Sequence, residues 1–382
     1  MKKTVKGKNA KTTKKEPKVV EEVVVEKPVI VEETIVEEEK KEPEKVETVA
    51  PAEVNTEVNA EASKEEVEQK PKKKWVSKRK LIQNKVDDYL SRRNNKVIIG
   101  NWKTNKIFDD IKNFANKFNA YLNRDSKLMK KLNFIIGIAP TMIGMLPVAS
   151  MMKKWVYPVA QFISEKEKGP YTGQVSYDQV HEYNVNYALV GHSETRQYLN
   201  VTDQKCRDTV VALVGQNMRP VLCIGETLEQ YKAKESKKTL TLELMNCLKD
   251  LTPEQVRQVI IAYEPIWAIG TQTASLEYIE EMATFIRNCV KDLFDDQTAK
   301  DVHVLYGGTV TPDNSFDIMS IDGIDGVLVG GASLDPESFF KIVSSAPEWD
   351  YVKRILKPKL ALDPEKAKKI REKKNKKLKI VE

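Results

Sequence analysis

Cysteine and histidine are both scarce in this 382-residue chain, with four of the first and three of the second. Cys206, Cys223, Cys247 and Cys289 stand far apart, with neither metal-ligand spacing nor a disulfide framework, and three histidines are too few for a metal cluster. The expectation is a reducing, cytoplasmic setting and chemistry that uses no metal and no cofactor. No Gly-x-Gly-x-x-Gly follows a first strand, which weighs against a doubly wound dinucleotide-binding sheet. Met1-Lys2-Lys3 leads into no apolar segment, so a secretory signal is not expected. Long apolar runs are missing but for one. Phe134 to Met152 carries no charge over nineteen residues, close to the length of a spanning helix. Pro140 and Pro147 interrupt it, and it reads as a strand at 134–139, a loop and an amphipathic helix.

Aromatic residues are absent from positions 1–69, which repeat Lys, Glu and Val in low complexity. Such a stretch cannot bury enough surface to offset chain entropy, so residues 1–74 are expected to be a disordered charged extension. The overall charge of +7 conceals strong segregation. Residues 1–18 hold eight Lys against one Glu, and residues 19–69 hold five Lys against seventeen Glu. Residues 70–93 hold ten Lys and Arg against two Asp, and residues 349–382 hold thirteen against five acids. The middle of the chain is near neutral. Trp75, Ile82, Val86 and Leu90 fall at helical spacing, which predicts a basic amphipathic helix or linker over 75–94. Residues 349–382 read as a basic tail. An anionic partner for it would be RNA, a membrane surface or an acidic protein segment, although without interleaved aromatics it has no means of stacking bases.

Between these ends the texture alternates. Strand-like runs occupy 97–101, 133–139, 156–161, 186–191, 220–224, 258–263, 302–306 and 325–330. Helical segments lie between them, among them 108–122, 203–216, 276–294 and 334–343. Eight strands alternating with helices over about 250 residues match a (β/α)8 TIM barrel over residues 95–348. In that architecture working residues gather at the C-terminal ends of strands. The polar residues gather there too: Asn101 and Lys103, His192 and Glu194, Glu264, Gly307-Gly308-Thr309 and Gly330-Gly331.

Residues 263–274 are the most informative stretch. Val259-Ile260-Ile261-Ala262 is a β-branched run of the kind that makes a buried strand. It stops at Glu264, and Pro265 prevents further ladder pairing. The loop that follows carries Trp267, Ile269 and Gly270 and no charge. An uncharged loop is either packed on a neighbour or is a lid that closes over a site. Glycine pairs after strands 7 and 8 expose backbone N–H groups at the phosphate position of such barrels, and Gly270 offers another. Taken singly, each of these features has a structural explanation: a solvated lysine, a satisfied histidine, an ordinary turn. Together they describe a site for a small phosphorylated substrate. In it Glu264 and His192 form a base and an electrophile, and Lys103 supplies fixed positive charge. That set suits removal of a proton beside a carbonyl.

Gly100-Asn101-Trp102-Lys103-Thr104-Asn105, Val190-Gly191-His192-Ser193-Glu194, Ala262-Tyr263-Glu264-Pro265-Ile266-Trp267-Ala268-Ile269-Gly270-Thr271, Tyr306-Gly307-Gly308-Thr309-Val310 and Leu328-Val329-Gly330-Gly331-Ala332-Ser333-Leu334 resemble, in order, the motifs of the triosephosphate isomerase family. The resemblance spans roughly residues 95–345. It implies interconversion of dihydroxyacetone phosphate and glyceraldehyde 3-phosphate without a cofactor. It also implies roles: Glu264 as the proton-shuttling base and His192 as a neutral imidazole that polarises the carbonyl. Asn101 and Lys103 would form the oxyanion site, supported by Glu194, and Gly270, Thr309, Gly330 and Gly331 would bind phosphate through main-chain N–H groups. The neutral histidine and the water-excluding loop are long-known features of this family. A homodimer is implied as well, with the loop 167–174 carrying Thr172 into the neighbour's site.

The chain departs from the family pattern at several places. Gln174 and Thr195 stand where an acid and an arginine usually pair, and their joint replacement avoids leaving one unpaired charge. The lid hinge Gln272-Thr273-Ala274-Ser275 is one residue shorter than usual, Thr309 replaces a serine, and Phe162 replaces an asparagine. A barrel that kept its shape as a scaffold, or another phosphate-binding barrel enzyme, are the competing function classes. Retention of Asn101, Lys103, His192, Glu194 and Glu264 together argues against the first. The position of Glu264 before an apolar lid argues against the second.

Overall fold

The computed structural model describes residues 95–356 except Thr271. The charged extension expected over 1–74, the amphipathic helix or linker expected over 75–94, and the tail from 357 onward lie outside the described residues.

Eight parallel strands close on themselves in sequence order. They are β1 Val97–Asn101, β2 Ile135–Ala139, β3 Val156–Ala160, β4 Tyr187–Val190, β5 Arg219–Ile224, β6 Ile260–Tyr263, β7 His303–Tyr306 and β8 Gly326–Val329. Pairing of Val97 with both Ile135 and Gly326 closes the ring. A parallel strand covered on both faces has no need of polar alternation, and β1 is buried throughout. Its side chains still alternate in destination. Val97 and Ile99 join Val159, Leu189, Val221, Ile260, Leu305 and Leu328 inside the barrel, while Ile98 faces the helices.

The helix Phe108–Arg124 shows how the outer layer is built. Ile111, Phe114, Ala115, Phe118 and Leu122 form one buried stripe at helical spacing. Helix starts are set by side-chain caps: Thr202 for Lys205 N–H, Ser275 for Tyr278 N–H and Asp335 for Ser338 N–H.

Two strands start two residues later than the sequence implied. Asn133, in the left-handed region at φ 51°, ends the helix Ser126–Leu132, so β2 begins at Ile135 and not at 133. Gln258 and Val259 still donate to Gln255 and Val256 in a helical turn, which delays β6 to Ile260. The apolar run 134–152 resolves into β2, a single 3-10 turn at Met142–Gly144 and a short helix Met145–Met151. No helix among the described residues is long and apolar enough to cross a membrane.

The packed unit also runs beyond residue 348, where the barrel was expected to end. Residues Pro347–Leu356 form a further helix, with Trp349 and Val352 fully enclosed in the outer core. Trp349 packs edge-on against Phe340 at 5.8 Å. The basic charge of this segment masked an apolar stripe that belongs to the fold.

Candidate active site

Strand periodicity places two members of the site, Asn101 and Glu264. Asn101 continues the inward face of Val97 and Ile99, and Glu264 continues that of Ile260 and Ala262. Both end buried at the C-terminal mouth, at 5% and 2% exposure. His192 is reached differently. It follows the outward-facing Val190, and Gly191 at φ 69° reverses the alternation. His192 then becomes the N-cap of the helix Ser193–Leu199.

Glu264 sits in a seat made by absent side chains. Its N–H donates to Ile224 O on β5 at 2.7 Å, and Gly307 N–H donates to Tyr263 O at 2.8 Å. A Cβ at Gly307 would lie 2.8 Å from Glu264 Cγ. The carboxylate is held on both oxygens. His192 Nε2 faces Oε1 at 3.3 Å and Ser193 N–H donates to Oε2 at 3.1 Å. On the other side of the ring, Glu194 N–H donates to His192 Nδ1 at 3.2 Å. An Nδ1 that accepts must leave the ring proton on Nε2, so this contact assigns the tautomer that points a donor at Glu264.

Lys103 completes the mouth. Its Nζ pairs with Glu194 Oε1 at 2.6 Å in a half-exposed ion pair. Its backbone is left-handed at φ 51°, a conformation that costs a non-glycine residue roughly 1–2 kcal/mol. Two side chains hold it there. Asn101 Oδ1 accepts from Lys103 N–H at 3.0 Å, and Gln161 Nε2 donates to Lys103 O and to Ala139 O, both at 2.8 Å.

A cavity of about 230 Å³ brings Asn101, Lys103, His192, Glu264, Gly270, Thr309, Gly330 and Gly331 to one place. Of the residues expected from sequence, only Glu194 stands outside its lining, one contact away through Lys103. Two of the expected phosphate donors are engaged within the protein. Thr309 N–H donates to Ala268 O at 3.1 Å, and Gly270 N–H donates to Thr309 Oγ1 at 2.9 Å. At Gly331 a Cβ would meet nothing within 4 Å, so the backbone there borders open space.

Four residues of the site's support escaped the sequence reading. Gln161 is one. Glu226 is fully buried after β5 and accepts from Tyr263 OH, Trp267 Nε1 and Tyr278 OH at 3.1, 2.8 and 3.0 Å. It anchors the uncharged loop after β6 through Trp267, which also stacks on Tyr231 at 4.3 Å. Burial and the adjacent Glu226 carboxylate push the Tyr263 phenol far above its ordinary value, so it remains a donor. The other two, Arg196 and Glu243, bond to the backbone at Gly191 O and Gly225 N–H, each at 2.8 Å. Glu226 alone left a signal in the sequence, a carboxylate at a strand end like Glu264 itself. The replaced pair is satisfied locally: Gln174 Oε1 accepts from Ser164 Oγ at 2.5 Å, and Thr195 Oγ1 donates to His192 O at 2.8 Å.

Comparison with known proteins agrees with this geometry. Residues 96–346 match the family model described as triosephosphate isomerase. Relatives of that name include one from Pediococcus pentosaceus, 40% identical over 249 residues, which span 65% of this chain and 97% of the relative. A second, from Mycoplasmoides gallisepticum, is 37% identical over 251 residues, covering 65% and 98%. A third, from Mesomycoplasma hyorhinis, is 38% identical over 252 residues, covering 65% and 97%.

Proposed function

The chain belongs to the triosephosphate isomerase family, and from that premise we propose how its own residues carry out the isomerisation. The reaction interconverts dihydroxyacetone phosphate and D-glyceraldehyde 3-phosphate, a step of glycolysis and gluconeogenesis.

Glu264 is the base. Its carboxylate leaves Ser193 N–H and takes the proton from the substrate carbon beside the carbonyl. His192 gives its Nε2 proton to the carbonyl oxygen as negative charge develops there and takes back the proton of the adjacent hydroxyl, while the proton on Glu264 is delivered to the former carbonyl carbon. Lys103, with Asn101 beside it, stabilises the enediolate electrostatically. The strained backbone of Lys103 is the cost of aiming its ammonium into the mouth. Glu194 orients both partners, pairing with Lys103 by its side chain and fixing the His192 tautomer by its N–H. The phosphate takes the main-chain N–H groups of Gly330 and Gly331, joined by those of Gly270 and Thr309 once they exchange their internal acceptors for it. Closure of the uncharged loop then keeps water from the enediolate.

The observation that carries this reading is the contact of both Glu264 carboxylate oxygens with the His192 turn inside one cavity. A coupled assay with glyceraldehyde 3-phosphate, wild type beside Glu264→Gln, tests it. Turnover in the wild type that falls by about 10³-fold or more in the variant is expected; near-normal turnover in Glu264→Gln would remove the assigned role.

The working form is a homodimer in the cytoplasm, with the Thr172 loop reaching the neighbour's site. Its support is a set of apolar side chains left in solvent: Ile143 at 91% exposure, with Ile107 and Leu146 also exposed. Sedimentation at micromolar concentration tests the assembly, and a monomer that turns over normally would exclude it. The basic tail takes an anionic partner (RNA, a membrane surface or an acidic protein segment), on charge alone, and salt-dependent binding to a polyanion column tests it.

A further inference from the structure

Glu243 lies on the inward face of the helix Ser236–Leu248, between the buried Leu240, Leu244 and Cys247, and its side chain is only 13% exposed. A carboxylate on an apolar helix stripe is costly, and replacing a buried ion pair by apolar groups is often neutral or stabilising. Its retention therefore calls for a use. The contacts supply one. Glu243 Oε2 accepts from Gly225 N–H at 2.8 Å, and Oε1 faces Arg196 Nη2 at 3.8 Å. Arg196 in turn donates through Nε to Gly191 O at 2.8 Å, and Nη2 lies 3.5 Å from Cys223 O.

Those backbone atoms carry the catalytic side chains. Gly191 is the left-handed residue that turns His192 into the mouth. Gly225 is the residue against which the Glu264 backbone packs, so closely that a Cβ would lie 1.7 Å from Glu264 O. One carboxylate–guanidinium pair thus joins the end of β4 to the end of β5, directly behind both His192 and Glu264.

We propose that Glu243 is a positioning residue for the isomerisation: through Gly225 N–H and Arg196 it fixes the separation of the His192 turn and the Glu264 backbone, and its ionised form does so best. This extends the assignment of Glu264 and His192 and rests on it.

The groups around Glu243 allow its charge to change within the working pH range. Burial pushes its carboxyl up to about 7, against the pull of Arg196 and the Gly225 N–H; Asp203 and Glu226 push it the same way as burial. Asp203 also takes Arg196 Nη1 at 2.6 Å, so the guanidinium is shared between two acids. The remaining titratable neighbours are Cys206 and Cys247, and the Cys247 thiol lies 3.8 Å from Asp203 O and 3.9 Å from its Oδ1. On the side of the helix Leu276–Leu293, Tyr278 engages Ser236, Cys289 approaches Thr241 and Glu281 pairs with Lys237. Protonation of Glu243 leaves Arg196 with Asp203 alone and weakens the charge-assisted bond to Gly225. Turnover then falls as the carboxyl takes up its proton.

The test is kcat and KM between pH 5.5 and 9 for wild type, Glu243→Gln and Glu243→Leu, with near-UV circular dichroism to establish that each is folded. Glutamine keeps an acceptor for Gly225 N–H and cannot ionise. The ratio of wild-type to Glu243→Gln kcat should rise from about one at low pH to a plateau of several-fold above neutrality, with its midpoint near the Glu243 ionisation. The substrate phosphate, common to both proteins, cancels in that ratio. Folded Glu243→Leu should lose about tenfold or more in kcat, with KM little changed because the phosphate donors belong to other strands. A ratio that stays flat at one, or a folded Glu243→Leu with wild-type kcat, overturns the proposal. Glu264→Gln measured alongside separates the two failures. If it is inactive while the Glu243 variants behave as wild type, only the positioning role falls; if it is fully active, the base assignment falls and this proposal with it.

Discussion

The backbones of Gly225 and Glu264 touch: a Cβ on the glycine would stand 1.7 Å from the glutamate's carbonyl oxygen. The obstacle is main chain in a neighbouring strand, so it cannot rotate away as a side-chain end can. Gly225→Ala must force β5 and β6 apart just where Glu264 N–H meets Ile224 O. A loss above about 4 kcal/mol is expected, a large share of the roughly 5–15 kcal/mol that holds a domain folded. Gly215→Ala, where a Cβ meets nothing within 4 Å, should stay within about 1 kcal/mol. Chemical denaturation of the two side by side decides, and equal effects would contradict the close approach.

Gln161 holds the carbonyl of Lys103 in a left-handed conformation whose cost lies in the same range as one hydrogen bond. Gln161→Ala removes the donor to Lys103 O and the donor to Ala139 O together. Relaxation of Lys103 would swing its ammonium away from the mouth. A fall of about tenfold or more in kcat/KM is expected, the equivalent of about 1.4 kcal/mol, with a modest loss in melting temperature. Unchanged kinetics would mean that Asn101 and Glu194 suffice to aim the lysine.

The strands and the gathering of polar residues at the barrel mouth were legible because both rest on local signals. β-branched runs mark buried strands, and a polar residue at the end of such a run marks a barrel mouth. Val97, Ile99 and Asn101 show the logic, since one period-two face leads from core to site. Gln161 and Glu243 were not legible because their partners are set by strand order. Gln161 meets Lys103 across 58 residues, and Glu243 reaches Gly225 across 18 and a helix. The helix Pro347–Leu356 was missed for another reason. Its apolar stripe of Trp349, Val352 and Ile355 is short, and the surrounding lysines dominated the composition.

Glu226 gathers three donors, from Tyr263, Trp267 and Tyr278, at one buried carboxylate. Glu226→Leu would leave those donors without an acceptor, at about 1–3 kcal/mol for each that stays buried and unsatisfied. Trp267 is the stem of the lid, so its release should loosen closure as well as the fold. The expected result is lower kcat with a larger share of turnovers ending in free phosphate, as water reaches the enediolate. Phosphate release measured against product formation tests this. A destabilised variant with an unchanged phosphate share would confine Glu226 to stability.

Glu243 should also give stability a pH dependence opposite in sign to that of an ordinary paired carboxylate. Its carboxyl in the fold is raised to about 7, above the unfolded value near 4.5, so the folded state binds the proton more tightly. Stability from this group is complete below about pH 4.5, declines as pH rises towards 7, and is constant beyond. The decline is on the order of 3 kcal/mol at most. Glu243→Gln carries no such penalty. Its melting temperature relative to wild type should therefore climb between pH 5 and 8, while its turnover relative to wild type falls over the same range. A stabilising substitution that lowers activity is what a strained positioning group predicts. Melting curves for both proteins at pH 5 and pH 8 suffice as a test, and a difference that does not grow with pH would show that Glu243 is already ionised, without strain, at the lower value.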